Sequence, residues 1–182
     1  MANNKVKYGL KNVHYAIYNS GTGTYGTPVA VPGAVNLSLS PEGESNTFYA
    51  DNVAYYVTQA DQGYSGDLEI AIIPDAMKKD VWGWTLNADG VLVEDNQAAV
   101  ATFALLFQVN GDQYNRHCVL YACSAGRPEI TGATIGETAE PQTETISLTA
   151  MPRSSDGIVQ AVTTDTTTST VISGWYSSVY TG

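Results

Sequence analysis

Alternation between apolar and polar residues, repeated along the chain, is the feature that most limits what this sequence can fold into. Successive side chains of a β-strand point to opposite faces, so a two-residue period predicts strands with one buried face. A fold of about six to eight short strands follows from the number of such segments. The segments are residues 5–18, 33–40, 63–73, 98–109, 114–123, 143–150 and 157–163.

The connections predict how these strands pair. Asn110-Gly111-Asp112 between two strand segments is typical of a tight hairpin, which makes neighbouring strands antiparallel. One helix is predicted over residues 75–83, where Pro74 and Asp75 suit its first turn. We therefore expect a mainly β protein: an antiparallel β-sandwich or partly closed barrel with one flanking helix, about 75–83.

Strand alternation also assigns faces. Leu68, Ile70 and Ile72 are expected to face the core, which turns Asp67 and Glu69 outward. Val119, Tyr121 and Cys123 are expected to share another buried face. Cys118 and Cys123 would lie on opposite faces of a regular strand, which makes them poor disulfide partners and favours two small buried apolar residues.

Residues 41–62 lack a clean period although they contain Phe48, Tyr49, Tyr55 and Tyr56. A long, aromatic-rich connection is uncommon inside a compact domain, and these residue types are enriched at protein interfaces. We interpret the segment as a long projecting loop, an arm that packs on a neighbouring copy. The alternative is an ordinary loop or an extra hairpin folded on its own domain.

The remaining organisation is simple. Residues 1–162 are predicted to form the β domain with an N-terminal arm and the 41–62 arm. Residues 163–182 form a Thr-rich linker and a C-terminal segment whose apolar residues, Val171 to Tyr180, are expected to dock. The start of the chain has no signal-peptide pattern, and no apolar run approaches the roughly 20 residues of a membrane span.

Charge restricts the partners. The 182 residues include 18 acidic and 8 basic side chains, which gives a formal net charge of −10. Tight nucleic-acid binding depends on Lys and Arg that neutralise phosphates, so wrapping of DNA or RNA is not expected. A surface that repels phosphate is nevertheless suited to a channel through which DNA passes without sticking.

Catalytic chemistry is not expected, because the sequence contains no nucleophile elbow, zinc-protease or P-loop motif. His14 and His117 are the only histidines, and each lies in a predicted strand. Paired carboxylates such as Asp75 with Asp80 have simpler roles at helix ends and turns. We predict that the protein is not an enzyme and needs no cofactor or metal.

Six short motifs occur in a fixed order over roughly residues 6–124, and in that order they resemble the major tail protein family of siphophages. The opening motif is the most specific. The motifs are Val6-Lys7-Tyr8-Gly9-Leu10-Lys11-Asn12-Val13-His14-Tyr15-Ala16, Gly26-Thr27-Pro28, Leu39-Ser40-Pro41-Glu42-Gly43, Tyr49-Ala50-Asp51, Gly66-Asp67-Leu68-Glu69-Ile70 leading to Pro74, and Asp89-Gly90-Val91-Leu92-Val93.

The resemblance implies a structural virion protein, a tail tube subunit that forms stacked hexameric rings around a conduit for double-stranded DNA. Its other partners would be a tape-measure protein and the tail terminator and baseplate proteins, with no membrane involved. The protein would be made in the bacterial host cytoplasm and reside in the virion tail. The alternatives are a carbohydrate-binding or adhesin sandwich and a capsid decoration protein.

Within such a tube, the 41–62 arm and the N-terminal segment would bridge neighbouring rings. The N-terminal interface would comprise Lys7, Tyr8, Leu10 and Val13. Asp67 and Glu69 are the candidates for an acidic channel wall, where repulsion between repeated carboxylates and phosphates keeps DNA from adhering.

Overall fold

A computed structural model describes residues 6–111, 114–134 and 141–182, without the side chains of residues 45, 46, 50 and 57–59. The first residues of the predicted N-terminal arm, Asp112 of the predicted hairpin turn and part of the 125–142 connection lie outside the described residues.

Within those residues the chain forms eleven strands and two helices, so the prediction of a mainly β fold is confirmed. In chain order they are β1 (Leu10–Asn19), β2 (Thr24–Tyr25), β3 (Val29–Ala30), β4 (Ala34–Ala50), β5 (Val53–Ile70), α1 (Asp75–Trp82), β6 (Thr85–Leu86), β7 (Leu92–Val93), β8 (Phe103–Val109), β9 (His117–Ala125), β10 (Glu144–Ala150), β11 (Gln160–Val162) and α2 (Ser169–Gly174).

One antiparallel sheet contains nine of these strands. Its order is β2-β1-β8-β9-β10-β5-β4, with β3 on the outer side of β1 and β11 beside β9. The sheet curls until β1 contacts β4 across the core, but no hydrogen-bonded pairing joins these two strands in the described part of the chain. It therefore has the two packed layers of a sandwich and is not a closed barrel.

Helix α1 covers the concave side of the sheet, as its sequence predicts. Met77, Val81 and Trp82 are buried along one side of the helix. The helix ends at Gly83, whose φ of 69° is left-handed and whose N–H donates to Lys79 O over 3.1 Å. Tyr15 Oη donates to Asp80 Oδ2 over 2.7 Å and so ties the helix to β1.

Between the helix and the sheet lies the main core. It is built from the inward side chains of five strands with those of α1, and most of them are at least 97% buried. Burial on this scale supplies the main driving force for folding, at roughly 25 cal/mol per Å² of apolar surface. The largest fully buried contributors are Tyr15, Phe103, Leu68, Ile70, Ile73, Met77, Leu105 and Ile146.

A β-bulge in β9 changes which side of the sheet its residues face, so two of the predicted face assignments are wrong. Ala122 has a φ of 30°, and the β8–β9 register shifts between the Phe103 and Leu105 pairs. The extra residue turns Cys123 into the main core, whereas Tyr121 faces the opposite side of the sheet. The prediction assumed that side chains alternate regularly between the two faces along this strand, and the bulge at Ala122 breaks that alternation. Cys118 and Cys123 are both buried and free, as predicted, but the bulge places both on the concave side of the sheet, so their predicted assignment to opposite faces is wrong.

The end of β5 requires a second correction. Leu68 and Ile70 are fully buried, but Ile72 is 72% exposed, so its predicted place in the core is wrong. The strand ends at Ile70 and the chain bends, after which Ile73 is the buried residue. Its N–H donates to Glu144 Oε2 over 2.6 Å, which fixes the bend against β10.

The C-terminal segment packs on the convex side of the sheet and contains α2, so the structure has two helices and not the single helix predicted. Trp175 is 2% exposed and joins a second apolar cluster with Leu106, Val119 and Tyr121. Tyr121 Oη donates to Tyr180 O over 2.5 Å. The segment therefore belongs to the folded domain.

Both histidines lie under this segment. Tyr176 stacks on His14 at 4.4 Å between ring centroids and lies 5.6 Å from His117, which also faces Trp175 at 5.9 Å. Burial lowers the pKa of His117 from its usual value of 6.5. Burial beneath the C-terminal aromatic residues therefore favours the neutral form of this imidazole in the folded protein.

We predict that acid destabilises the C-terminal segment through His117. Because its pKa is lower in the folded than in the unfolded chain, the stability that this group contributes is present above 6.5. It should be lost as the pH falls below that value. Amide hydrogen exchange of residues 169–180, measured near neutral pH and at about pH 5, should show faster opening in acid. His117→Gln should reduce the difference and His14→Gln should keep it. Equal pH dependence in wild type and His117→Gln would contradict the assignment.

Candidate assembly surface

The segment predicted as a long projecting loop, 41–62, is a two-stranded antiparallel ribbon formed by the outer halves of β4 and β5. Backbone pairing continues from Gly43 opposite Asp61 to Ala50 opposite Val53. Asp51 and Asn52 make the turn with φ values of 52° and 61°, the left-handed pair that a two-residue hairpin requires. The loop prediction is wrong because bulges in the register hide the two-residue period.

The ribbon begins where β10 ends. β5 pairs with β10 only as far as Tyr64, opposite Ala150, and the β4–β5 register shifts just beyond, between Glu42 and Gly43. Gly63 stands at this point with a φ of 106°, and a Cβ there would lie 2.0 Å from Ala150 O. A glycine is therefore required at this point, which we call the root of the ribbon. From the root to the turn the ribbon extends about 25 Å at roughly 3.3 Å per residue.

Large apolar side chains are exposed at the outer end of this ribbon. Phe48 and Tyr56 lie directly opposite each other, and Tyr55 is the residue inserted by a second register shift. A two-stranded ribbon is at best marginally stable in water without further packing. Such a concentration of exposed aromatic residues indicates a contact surface. The exposed fractions are 63% for Phe48, 67% for Tyr49, 64% for Val53, 78% for Tyr55 and 63% for Tyr56.

The free edge of β4 adjoins the ribbon. β4 is the last strand in the sheet order and pairs only with β5 among the described residues. An exposed strand edge of this length can template pairing with another chain. The opposite edge differs, because β1 is partly covered there by the two-residue strands β2 and β3.

Asp67 and Glu69 lie on the outward face of β5, opposite the core face. Asp67 is exposed and is flanked by Ser38 on β4 and Ser147 on β10. Glu69 is half-buried and its Oε1 accepts a hydrogen bond from Thr143 Oγ1 over 2.6 Å. Ser65, on the same face of β5, donates a hydrogen bond to Glu42 of β4. The three strands β4, β5 and β10 contain no Lys or Arg, so this face is acidic and also bears hydroxyl groups.

The predicted N-terminal interface residues divide into two groups. Lys7 and Tyr8 are exposed, and Tyr8 N–H donates to Asn110 O over 2.6 Å. Leu10 is partly buried against the main core. Val13 is 2% exposed within that core, so its assignment to an interface is wrong: it belongs to β1, a core strand.

The described residues include no group of three or more His, Cys, Asp or Glu side chains placed to hold a metal ion. In the same part of the chain, no helix has the length and hydropathy needed to cross a membrane. Three surface features stand out: the aromatic ribbon, the open β4 edge and the acidic face. The sequence predicted the ribbon aromatics and the carboxylates but not which strand forms the open edge, since strand order is not visible in alternation.

Comparisons with known proteins give a limited result. No protein-family model matches the chain, and no curated protein matches it. A solved structure with some similarity is the tube terminating cap of the anti-feeding prophage, determined by cryo-EM. It is 12% identical, with a TM-score of 0.47 over 90% of this chain and 99% of that chain.

We predict that the exposed aromatics can be removed without unfolding the domain. Replacing Phe48, Tyr49, Tyr55 and Tyr56 with Ser should change the melting temperature little, because these side chains are more than 60% exposed. Self-association should be lost, since a buried interface aromatic can contribute about 2 kcal/mol or more. Thermal unfolding and light scattering measure the two effects.

A matched control replaces exposed apolar residues of the β6–β7 hairpin, namely Leu86, Val91 and Val93, with Ser. This control should affect neither property. A large fall in melting temperature of the ribbon variant, with normal association of the protein that remains folded, would place the aromatics in the subunit's own core.

Proposed function

We propose that the protein is a structural subunit of a phage tail tube, which assembles as stacked hexameric rings that form a conduit for DNA. It acts without catalysis, a cofactor or a metal. Its partners are further copies of itself, the tape-measure protein inside the tube, and the terminator and baseplate proteins at the ends. The ordered motifs over residues 6–124 support the family, the hexamer and these partners.

The observation that carries the proposal is the ribbon of residues 41–62. It extends about 25 Å beyond the sheet at roughly 3.3 Å per residue, whereas a domain of this size has a radius of gyration of about 16 Å. Its length and its exposed aromatics suit a bridge between subunits. In the proposed tube, each ribbon packs on a subunit of an adjacent ring.

The open edge of β4 supports ring formation. In a closed ring, each subunit presents one edge to one neighbour and a different edge to the next, so the contacts are heterologous. β4 offers the long open edge and β1 the shorter, partly covered one. Pairing between subunits at these edges would continue the sheet around the ring and bury the groups that β4 leaves open.

The face of β4, β5 and β10 that bears Asp67 and Glu69 is proposed to line the channel. It combines the carboxylates of Asp67 and Glu69 with Ser and Thr side chains, and the three strands contain no Lys or Arg. Phosphates that pass such a wall are repelled and remain hydrated, whereas each phosphate neutralised by a basic wall would add to the affinity for DNA.

A carbohydrate-binding or adhesin sandwich is the main alternative. Such a protein is expected to be monomeric and to present its aromatics as a row on a sheet face. Here the exposed aromatics are concentrated on the ribbon, beyond the supported part of the sheet. That placement favours assembly over sugar binding, and electron micrographs distinguish both from a capsid decoration protein.

We predict assembly of the purified protein without any added ligand. Light scattering at increasing concentration should show growing particles, and negative-stain microscopy should show rings or tubes. A protein that stays monomeric at high concentration, and also fails to assemble with its own tail initiator proteins, would contradict the proposal.

A second prediction concerns the channel wall. Changing Asp67 and Glu69 together to Lys should leave tubes intact but slow DNA ejection, because phosphates then meet attractive charges. Asp67→Asn with Glu69→Gln keeps side-chain size and removes the charge, and it should have a smaller effect. Unchanged ejection in the Lys variant, or a density map with both side chains on the outer surface, would rule out the lumen assignment but not the tube.

A further inference from the structure

A large groove opens on the concave side of the sheet, between β4 on one wall and β8, β9 and β11 on the other. Its volume is about 1120 Å³. Ligand pockets for small molecules are usually about 300–1,000 Å³ and enclose most of their ligand. The groove is larger than that range and open, which favours a piece of protein as its occupant.

The floor of the groove is an uncovered part of the main core. Leu10, Leu37, Leu39 and Phe107 pack against buried core residues yet remain only partly buried, and all four line the groove. Val35, on the wall formed by β4, is 53% exposed. An apolar floor open to water stabilises the protein further when it is covered.

Positive charge lies at the rim. Lys7 and Arg116 line the groove together with one carboxylate, Asp165. Burial raises the pKa of the Cys118 thiol inside the groove, and the charges of Lys7 and Arg116 act in the opposite direction. The two basic side chains therefore line the same groove as this thiol.

The ribbon has the complementary properties. Residues 41–62 contain four carboxylates, Glu42, Glu44, Asp51 and Asp61, and no Lys or Arg. Apolar side chains that are more than 60% exposed lie at its outer end. An acidic, aromatic-tipped ribbon matches an apolar groove with a basic rim in both hydrophobicity and charge, and complementary charges favour correct pairing and faster association.

The ribbon cannot fill the groove of its own subunit. Leu37 and Leu39, which line the floor of the groove, belong to β4, the same strand that continues into the ribbon, and pairing with β5 persists to Ala50. Folding the ribbon back would break these backbone hydrogen bonds. We infer that the groove between β4 and β8, β9 and β11 is the receptor for the 41–62 ribbon of a second copy, a contact that rests on the proposed tube function.

Photocrosslinking from the groove tests this inference. A p-benzoylphenylalanine at Val35 in the full-length protein, activated after assembly, should capture peptides from residues 43–61. Mixing ¹⁴N- and ¹⁵N-labelled protein before assembly should show that the link joins two molecules. The same probe at Val91, which is similarly exposed at 55% but lies on the connection between β6 and β7, is the matched control and should not capture that ribbon.

Charge reversal gives an independent measurement. Lys7→Glu should raise the concentration needed for assembly about two- to fivefold at low salt, in keeping with one exposed ion pair, and less at high salt. Lys79→Glu, on the exposed side of α1, makes the same change in net charge and should have little effect.

The outcomes separate the two proposals. Intermolecular links from Val35 to the ribbon support the groove as its receptor. Assembly with links from Val35 to residues 1–5, to other surfaces or to nothing would overturn the receptor but leave the tube. No assembly of the wild-type protein, alone or with its tail initiator, would overturn the tube and the receptor that rests on it.

Discussion

Backbone pairing along β5 holds the structure together, because this strand belongs both to the folded domain and to the ribbon. Its inner half lies between β10 and β4, with Leu68 and Ile70 fully buried in the main core. Among the described residues, its outer half, beyond Tyr64, pairs with β4 alone. The core thus fixes the direction of the ribbon. An isolated two-stranded ribbon would be only marginally stable in water. Gly63 marks the transition, since Ala150 O leaves no room there for a side chain.

Acidic and basic side chains lie on different parts of the subunit. Acidic side chains occupy the ribbon and the outward face of β4, β5 and β10, whereas Lys7 and Arg116 lie at the groove on the concave side. A subunit with opposite charges at separate places suits head-to-tail contacts, in which different surfaces of two copies meet. The low content of charged residues, 14%, leaves much of the remaining surface compatible with burial between copies.

Alternation and turn chemistry predicted most of the fold, because they act locally. They located α1 to within one residue and identified the strands that supply Phe103, Leu68 and Ile146 to the core. They failed where a local irregularity changes the period. The bulge at Ala122 moved Cys123 to the other face, and the shifts beyond Glu42 made a paired ribbon read as a loop.

Features that depend on long-range pairing were not accessible from the sequence. The order that leaves β4 at an edge, the groove, and the docking of Trp175 over β8 and β9 all join residues far apart in the chain. The exposed aromatics of the candidate site were recognisable because large apolar residues without a period are unusual in a connection. Val13 was misassigned for the opposite reason, since its motif indicated an arm whereas its alternation indicated a core strand.

Amide hydrogen exchange of residues 43–61, compared in the free subunit and in the assembled particle, tests the central claim most directly. We expect rapid exchange in the free subunit, where β4 and β5 pair only with each other over this stretch in the described part of the chain and Phe48, Tyr55 and Tyr56 are exposed, and strong protection after assembly. Rapid exchange that persists in the assembled particle, or protection already complete in the monomer, would contradict the role of the ribbon as the bridge between subunits.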